Sequence, residues 1–287
     1  MSKNNIVLIN DRPGYSRVAL SAMTPILYHM GYGVLNLPTA LVSNTLDYGE
    51  FAILDTTDYM EECIEVWKKL NFNVNSISTG FVLNEKQIDI IEKVIYMNKE
   101  YNPLVMVDPI MADNGQLYNG IDKDRISIMR ELIANADLTI PNITEAYLLL
   151  ENRFNRVFVD TKTELKDLVD GIREQGSKSV VITSVKASNG KYYIAGYDHI
   201  YKEYFKISYE KISVNYPGTG DIFSAIVLGY VLKNVKLIDA TRIAADFIYN
   251  SILESERNNF DRKEGINLEL YIHNIDKDFR KKECLKS

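Results

Sequence analysis

Asn215-Tyr216-Pro217-Gly218-Thr219-Gly220-Asp221 separates a strand-like stretch from a strongly apolar helical one, and its reading decides the fold. Two glycines two positions apart let backbone N–H groups turn inward, and a helix start adds its positive dipole end, so the turn can cradle an anion. Asp221 is out of place beside an anion unless it has a task. A carboxylate there can accept a proton from a hydroxyl while the neighbouring amides hold a transferring phosphoryl group. Taken alone, a Gly-x-Gly-Asp turn reads more readily as a helix cap. The decision therefore rests on what surrounds it.

Upstream, short Val/Ile-rich runs alternate with longer stretches of helical period, the pattern of parallel strands joined by crossover helices. The runs predict strands at 5–10, 32–37, 73–79, 103–108, 137–140 and 178–184. Helices are predicted over 17–30, 58–70, 84–99, 122–135 and 161–175, with a kink or break at Pro25. Lys191-Tyr192-Tyr193-Ile194 and Tyr204-Phe205-Lys206-Ile207-Ser208 read as an antiparallel hairpin at one sheet edge. After Pro217 one helix carries Ile222, Ala225, Ile226 and Gly229 on a face, and another spans about 236–254. No Ser/Gly/Pro-rich linker and no internal repeat divides the chain. The expectation is one α/β domain over 1–287, a mainly parallel central sheet with helices on both faces.

Composition narrows the function. The 287 residues include 33 Lys and Arg against 39 Asp and Glu, a formal charge of −6, so no nucleic-acid partner is expected. No stretch approaches the roughly 18 apolar residues of a membrane span, and the four apolar residues before Asn10 are too few for a signal sequence. Cys63 and Cys284 lack metal-ligand or disulfide spacing, which points to a reducing cytosol. His29, His199 and His273 are scattered, and Cys63 reads as a core thiol. The mildly basic tail from Lys277 to Lys286 reads as a solvated end.

Open α/β sheets bind ligands at the carboxyl ends of their strands. Three further polar clusters fall there: Asp108-Pro109-Ile110-Met111-Ala112-Asp113, Pro141-Asn142-Ile143-Thr144-Glu145, and Thr183-Ser184. Singly, each has a structural reading, a turn for Asp-Pro and a capping signal for Asn-x-x-Glu. Together with the glycine turn they suit a Mg-nucleotide site. There is no Gly-x-x-x-x-Gly-Lys-Ser/Thr phosphate loop, and Asp11-Arg12-Pro13-Gly14 follows the first strand in place of a dinucleotide fingerprint.

With these residues the chain resembles the ribokinase-like superfamily, a three-layer sandwich, and within it the pyridoxal and pyridoxamine kinase branch. The resemblance spans roughly 4–255. Its carriers are Gly218-Thr219-Gly220-Asp221, Asp108-Pro109-x-Met111-x-Asp113 with Gly115 and Tyr118, Pro141-Asn142-x-x-Glu145, Ile9-Asn10-Asp11 with Gly14, and Leu41-Val42-Ser43-Asn44 with Tyr48. It implies an ATP- and Mg²⁺-dependent kinase, with a monovalent cation as a further candidate cofactor, phosphorylating the 5′-hydroxymethyl group of a B6 vitamer. By the resemblance Asp221 is the base, and Gly218, Thr219 and Gly220 form the anion hole. Asp108, Asp113 and Glu145 gather metal and phosphates, while Asn142, Thr183 and Ser184 meet the nucleotide. Asp11, Ser43, Thr45, Phe81 and Tyr118 fall around the pyridine ring, and a homodimer is implied. Departures are Asp11 where a serine is usual, Ile140 for threonine, Ala112 for glycine, Pro13 in the first loop, and Thr45 followed by Leu46. An acid near the ring inclines the reading toward an aminomethyl substituent. The rivals are a hydroxymethylpyrimidine kinase, whose glycine-rich first loop is missing here, and a low-turnover nucleotide- or vitamer-binding protein.

Overall fold

The computed structural model describes residues 5–151, 158–159 and 161–275. The strands are β1 (Asn5–Pro13), β2 (Gly33–Val42), β3 (Ile53–Asp55), β4 (Ser76–Thr79), β5 (Leu104–Val107), β6 (Ala112–Asp113), β7 (Gln116–Leu117), β8 (Leu138–Thr139), β9 (Phe158–Val159), β10 (Ser179–Ala187), β11 (Tyr192–Asp198) and β12 (Glu203–Tyr209). The helices are α1 (Ala19–His29), α2 (Thr57–Lys69), α3 (Glu85–Met97), α4 (Arg125–Ile133), α5 (Ile143–Glu151), α6 (Lys162–Glu174), α7 (Thr219–Val231), α8 (Leu237–Arg257) and α9 (Leu268–Tyr271). The main sheet runs β12-β11-β10-β8-β5-β4-β1-β2-β3, with β9 beside β10. Its centre is parallel, while β11, β12 and β3 are antiparallel at the edges.

The unbroken apolar run of β1 is explained by two cores. Val7 and Ile9 face a cluster completed by Met60 of α2, Ile91 of α3, Met129 of α4, Tyr147 of α5 and Leu168 of α6. Ile6 and Leu8 face the opposite cluster, with Leu20 and Ile26 of α1, Ile222 and Ile226 of α7, and Ile243 and Phe247 of α8. β1 is thus buried on both faces, the condition under which apolar alternation disappears. This is the three-layer sandwich expected from the sequence.

Several boundaries differ for local reasons. α1 continues through Pro25, which stands on its exposed side, so the expected break is absent. β2 is longer than expected because its second half pairs with β3, a three-residue edge strand whose side chains are all exposed. The strand expected at 137–140 shrinks to two residues. β6 and β7 form a small hairpin after β5 that periodicity could not show.

Candidate active site at the carboxyl edge of the sheet

Pairing irregularities fall where the sheet ends. The β1–β2 register slips at Asp11, between the pairs Asn10–Pro38 and Arg12–Leu41. In β10, Thr183 and Ser184 bulge between Ile182 and Val185, with Ser184 at φ +56. Bulges redirect side chains, and left-handed backbone at a non-glycine residue carries strain. Both lie at the edge where the polar clusters gather.

The glycine turn leads directly into α7. Gly218 has φ +80, and a Cβ there would lie 2.3 Å from the Arg17 carbonyl oxygen, so only glycine fits. A Cβ at Gly220 would meet nothing within 4 Å, which leaves open space above the first turn. The first N–H groups of a helix have no intrahelical acceptor, so this space is lined by donors.

Asp221, in that first turn, is half-buried and fixed from two sides. The Ala19 N–H donates to its Oδ2 at 2.8 Å, and Asn10 Nδ2 donates to its Oδ1 at 3.1 Å. Val18 offers no side-chain cap to α1, so Asp221 takes that place across the fold, with Ala19 held at φ +47. Two helix N-termini therefore meet at one carboxylate. Asn10 is 1% exposed, and its Oδ1 accepts from the Asp11 and Phe81 N–H groups at 3.0 and 2.8 Å, which aims its NH₂ at Asp221. The fit is close, since a Cβ at Gly80 would lie 2.6 Å from Asn10 Nδ2.

Acids crowd this centre. Ser224, one turn beyond Asp221, donates to Asp108 Oδ2 at 2.7 Å. Burial, with repulsion from Asp221, pushes Asp108 and Asp11 up to about 7. Burial also raises Asp221, to about 6, while its two hydrogen bonds hold it down.

A second group lies toward the hairpin. Asn142 and Glu145 form a reciprocal cap on α5: the Glu145 N–H donates to Asn142 Oδ1 at 3.0 Å, and the Asn142 N–H to Glu145 Oε2 at 2.9 Å. Glu145 Oε1 also accepts from Met111 and Ala112 N–H groups, and Asn142 Nδ2 donates to the Ala112 carbonyl at 2.7 Å. Thr144 Oγ1 accepts from the Gly115 N–H. The start of α5 thus pins the 108–115 segment, and Glu145, buried at 3%, is pushed well above its usual range by desolvation and Asp108. Asp113 is raised by burial and moderated by the Asn114 N–H and nearby Lys211. Thr183 reaches Pro141 through its N–H, and Ser184 is hydrogen-bonded to Tyr209.

Most expected site residues are therefore brought together. Phe81 is tied in through Asn10, and Tyr118 through the carboxylates of Glu145, Asp113, Asp108 and Asp221, whose fields, with burial, raise its phenol. Ser43 and Thr45 lie in the loop after β2, whose Ser43 carbonyl oxygen packs against Gly14. Ser43 Oγ donates to Asn44 Oδ1 at 2.6 Å and accepts from the Ala52 N–H at 2.9 Å, which closes its own loop. That loop lines an open cavity of about 550 Å³ with Tyr15, Ser43, Asn44, Tyr48 and Glu50. Sequence reasoning missed Asn10, Ser224, Tyr209 and Lys211. The first two had a signal, a polar residue closing a buried strand and a hydroxyl three positions after Asp221.

Residues 26–266 match the phosphomethylpyrimidine kinase family. The chain belongs to that family. A Bacteroides thetaiotaomicron family protein, provisionally named a phosphomethylpyrimidine kinase and crystallised with pyridoxal, is 34% identical, with a TM-score of 0.90 and 96% of each chain covered. Pyridoxal kinase from Lactobacillus plantarum is 26% identical, with a TM-score of 0.83, covering 96% of this chain and 97% of that one. A Schizosaccharomyces pombe protein provisionally named a pyridoxal kinase is 29% identical over 219 residues, 72% of this chain but 62% of its own length. These similarities bear out the ribokinase-like fold and the resemblance to the pyridoxal kinase branch. No helix among the described residues is long and apolar enough to cross a membrane.

Proposed function

We propose that this family member is an ATP-dependent kinase that phosphorylates the hydroxymethyl group of a B6 vitamer in the cytosol. One observation carries the reading. Asp221 is a partly buried carboxylate held by Asn10 and the Ala19 N–H, beside an open helix turn lined by unpaired donors. With a pKa of about 6 it is mostly ionised at neutral pH and can take the hydroxyl proton. The amides of Gly218, Thr219 and Gly220 face the charge that develops on the transferring group. Asn142, Thr183 and Ser184 orient the nucleotide from the second group, and Phe81 and Tyr118 border the ring.

The donor set fits Mg²⁺ carried by a nucleotide. Among the described residues no three acidic, His or Cys side chains form a dedicated metal cage. Asp108 and Asp113 supply the one or two carboxylates that Mg²⁺ takes when phosphates provide other ligands. Bound there, Mg²⁺ neutralises phosphate charge. Glu145, with both oxygens already accepting from backbone, acts by holding the 108–115 segment in place. Water is excluded by the 110–121 and 39–52 segments, which meet where Gly120 lies against Phe51.

Asp11, a carboxylate whose proton affinity burial and the neighbouring Asp221 raise, favours a substrate whose amino group would stabilise its ionised form. Crystallisation of the Bacteroides relative with pyridoxal supports a vitamer over a pyrimidine. The free edge at β3, where Ile53 and Leu54 are 46% and 60% exposed, supports a homodimer. Sedimentation of Leu54→Glu as a monomer beside a dimeric parent supports that assembly; a monomeric parent rejects it.

The deciding experiment is ADP release with Mg-ATP and pyridoxal, pyridoxamine, pyridoxine or hydroxymethylpyrimidine at matched concentrations. Preference for a B6 vitamer is expected. Preference for the pyrimidine moves the chain to thiamine-type chemistry, and silence on all four overturns the kinase reading.

A further inference from the structure

The chain after α8 returns to the active site. Phe260 to Glu269 lies beyond the stretch of roughly 4–255 that carries the sequence resemblance and runs past the end of the family match at 266, yet it contacts three elements that line the site. The Arg17 N–H donates to the Glu264 carbonyl at 2.9 Å. Arg17 Nε donates to both oxygens of Glu269, at 2.8 and 3.1 Å, and its guanidinium lies 4.8 Å from the Phe260 ring centre. A further arm of Arg17 pairs with Glu264 at 3.5 Å. Glu264 also bonds the Tyr15 hydroxyl, and Lys263 lies over the Tyr48 ring.

The backbone of Arg17 is the centre of this arrangement. Its carbonyl oxygen would lie 2.3 Å from a Cβ at Gly218 and 2.8 Å from one at Gly265, and both glycines have φ near +80. A Cβ at Gly265 would also lie 3.2 Å from the Pro217 carbonyl oxygen. The anion-binding turn, the β1–α1 loop and the C-terminal segment therefore meet without room for a single methyl group. Two residues on from Arg17, the Ala19 N–H holds Asp221. A shift of Arg17 moves the amide turn and the Asp221 anchor together.

We propose that the segment Phe260–Glu269 is a clamp that positions the phosphate-binding turn and Asp221 through Arg17. Arg17 is a positioning residue and touches no substrate. Exposed ion pairs contribute little to stability, and Glu269 is largely exposed, so the pair acts on geometry more than on folding. Small misplacement of transfer groups is costly to rate. The clamp rests on the kinase reading for its effect on turnover, but its mechanical part does not.

The test uses the full chain with Arg17→Gln, Glu269→Gln and their combination, and Gly265→Ala as an independent lesion. Either single change is expected to lower kcat on the order of tenfold, with KM for Mg-ATP within about twofold. The double variant should be no worse than Arg17→Gln, since that change already breaks the Glu269 linkage together with those to Glu264 and Phe260. Added salt should lower kcat of the parent toward that of Arg17→Gln, which itself responds less. Amide exchange at 14–19 and 217–221 should rise in all variants, read without any substrate. Additive losses, near-parental kcat, or unchanged exchange in these two segments overturn the clamp. If no vitamer is phosphorylated, the kinase reading fails, and the exchange measurement alone still decides the clamp.

Discussion

Replacing Asn10 by Asp tests whether the fold sets the basicity of Asp221. The aspartate keeps two acceptor oxygens for the Asp11 and Phe81 N–H groups, but removes the NH₂ that donates to Asp221 at 3.1 Å. A hydrogen bond to a charged group contributes about 1.5–3 kcal/mol. At about 1.4 kcal/mol per pH unit, its loss raises the Asp221 pKa by about one to two. The new carboxylate repels Asp221 and acts in the same direction. Asp221 must be ionised to accept a proton, so the acid limb of kcat/KM, near 6 in the parent, moves to roughly 7–8. At pH 7 the variant should run about two- to tenfold slower, and recover toward pH 9. The assay is the pH profile of kcat/KM for the vitamer at saturating Mg-ATP, where nucleotide titration is common to both proteins. A limb that stays near 6 while activity falls at every pH refutes the argument, because Asn10 then acts on geometry alone.

Three further outcomes follow from the same contacts. Gly218→Ala forces a side chain into left-handed backbone against the Arg17 carbonyl, and should cost about 1–3 kcal/mol of stability and most of kcat, read by thermal unfolding and turnover. Asp11 and Asp108 at about 7 and Asp221 at about 6 stand above their ordinary 3.8, so the folded chain binds protons more tightly than the unfolded one. That stability is complete below about pH 4 and lost as pH rises through 6 to 7, so Tm of the ligand-free protein should fall between pH 5 and pH 8, and Asp108→Asn should flatten the fall. Asp11→Asn removes the charge facing the substrate, and should shrink the preference for pyridoxamine over pyridoxal by about tenfold in kcat/KM; an unchanged ratio removes Asp11 from substrate selection.

The central strands were readable because burial on both faces produces continuous apolar runs such as Ile6–Ile9. β3 was not, because three exposed residues at an edge carry no period, and β8 was overestimated because only two residues pair. At the site, Asp221, Asp108 and Asn142 were visible as polar residues placed just beyond strands. Asn10 was hidden because its role depends on partners 71 and 211 positions away and on the space left by Gly80. Ser43 shows the opposite case. Its hydroxyl is held within its own loop by Asn44 and Ala52, a closure that linear spacing does not reveal.

The exceptions to local rules concentrate where the chemistry is proposed. Ala19 and Ser184 occupy left-handed backbone that side chains disfavour, and burial, with the charge of Asp221, raises the proton affinity of Asp11 and Asp108. Such features persist only where the surrounding structure over-determines them. Here β1 is held by apolar layers on both faces of the sheet and α1 and α7 pack together on one of them, so the strained residues at the sheet's edge cannot relax without disturbing that packing. The acids are tolerated in the ligand-free chain because burial lets them carry protons near neutrality. A cationic or metal-bearing ligand would favour their ionised forms, so the energy stored as repulsion becomes affinity for the molecules the site is built to receive.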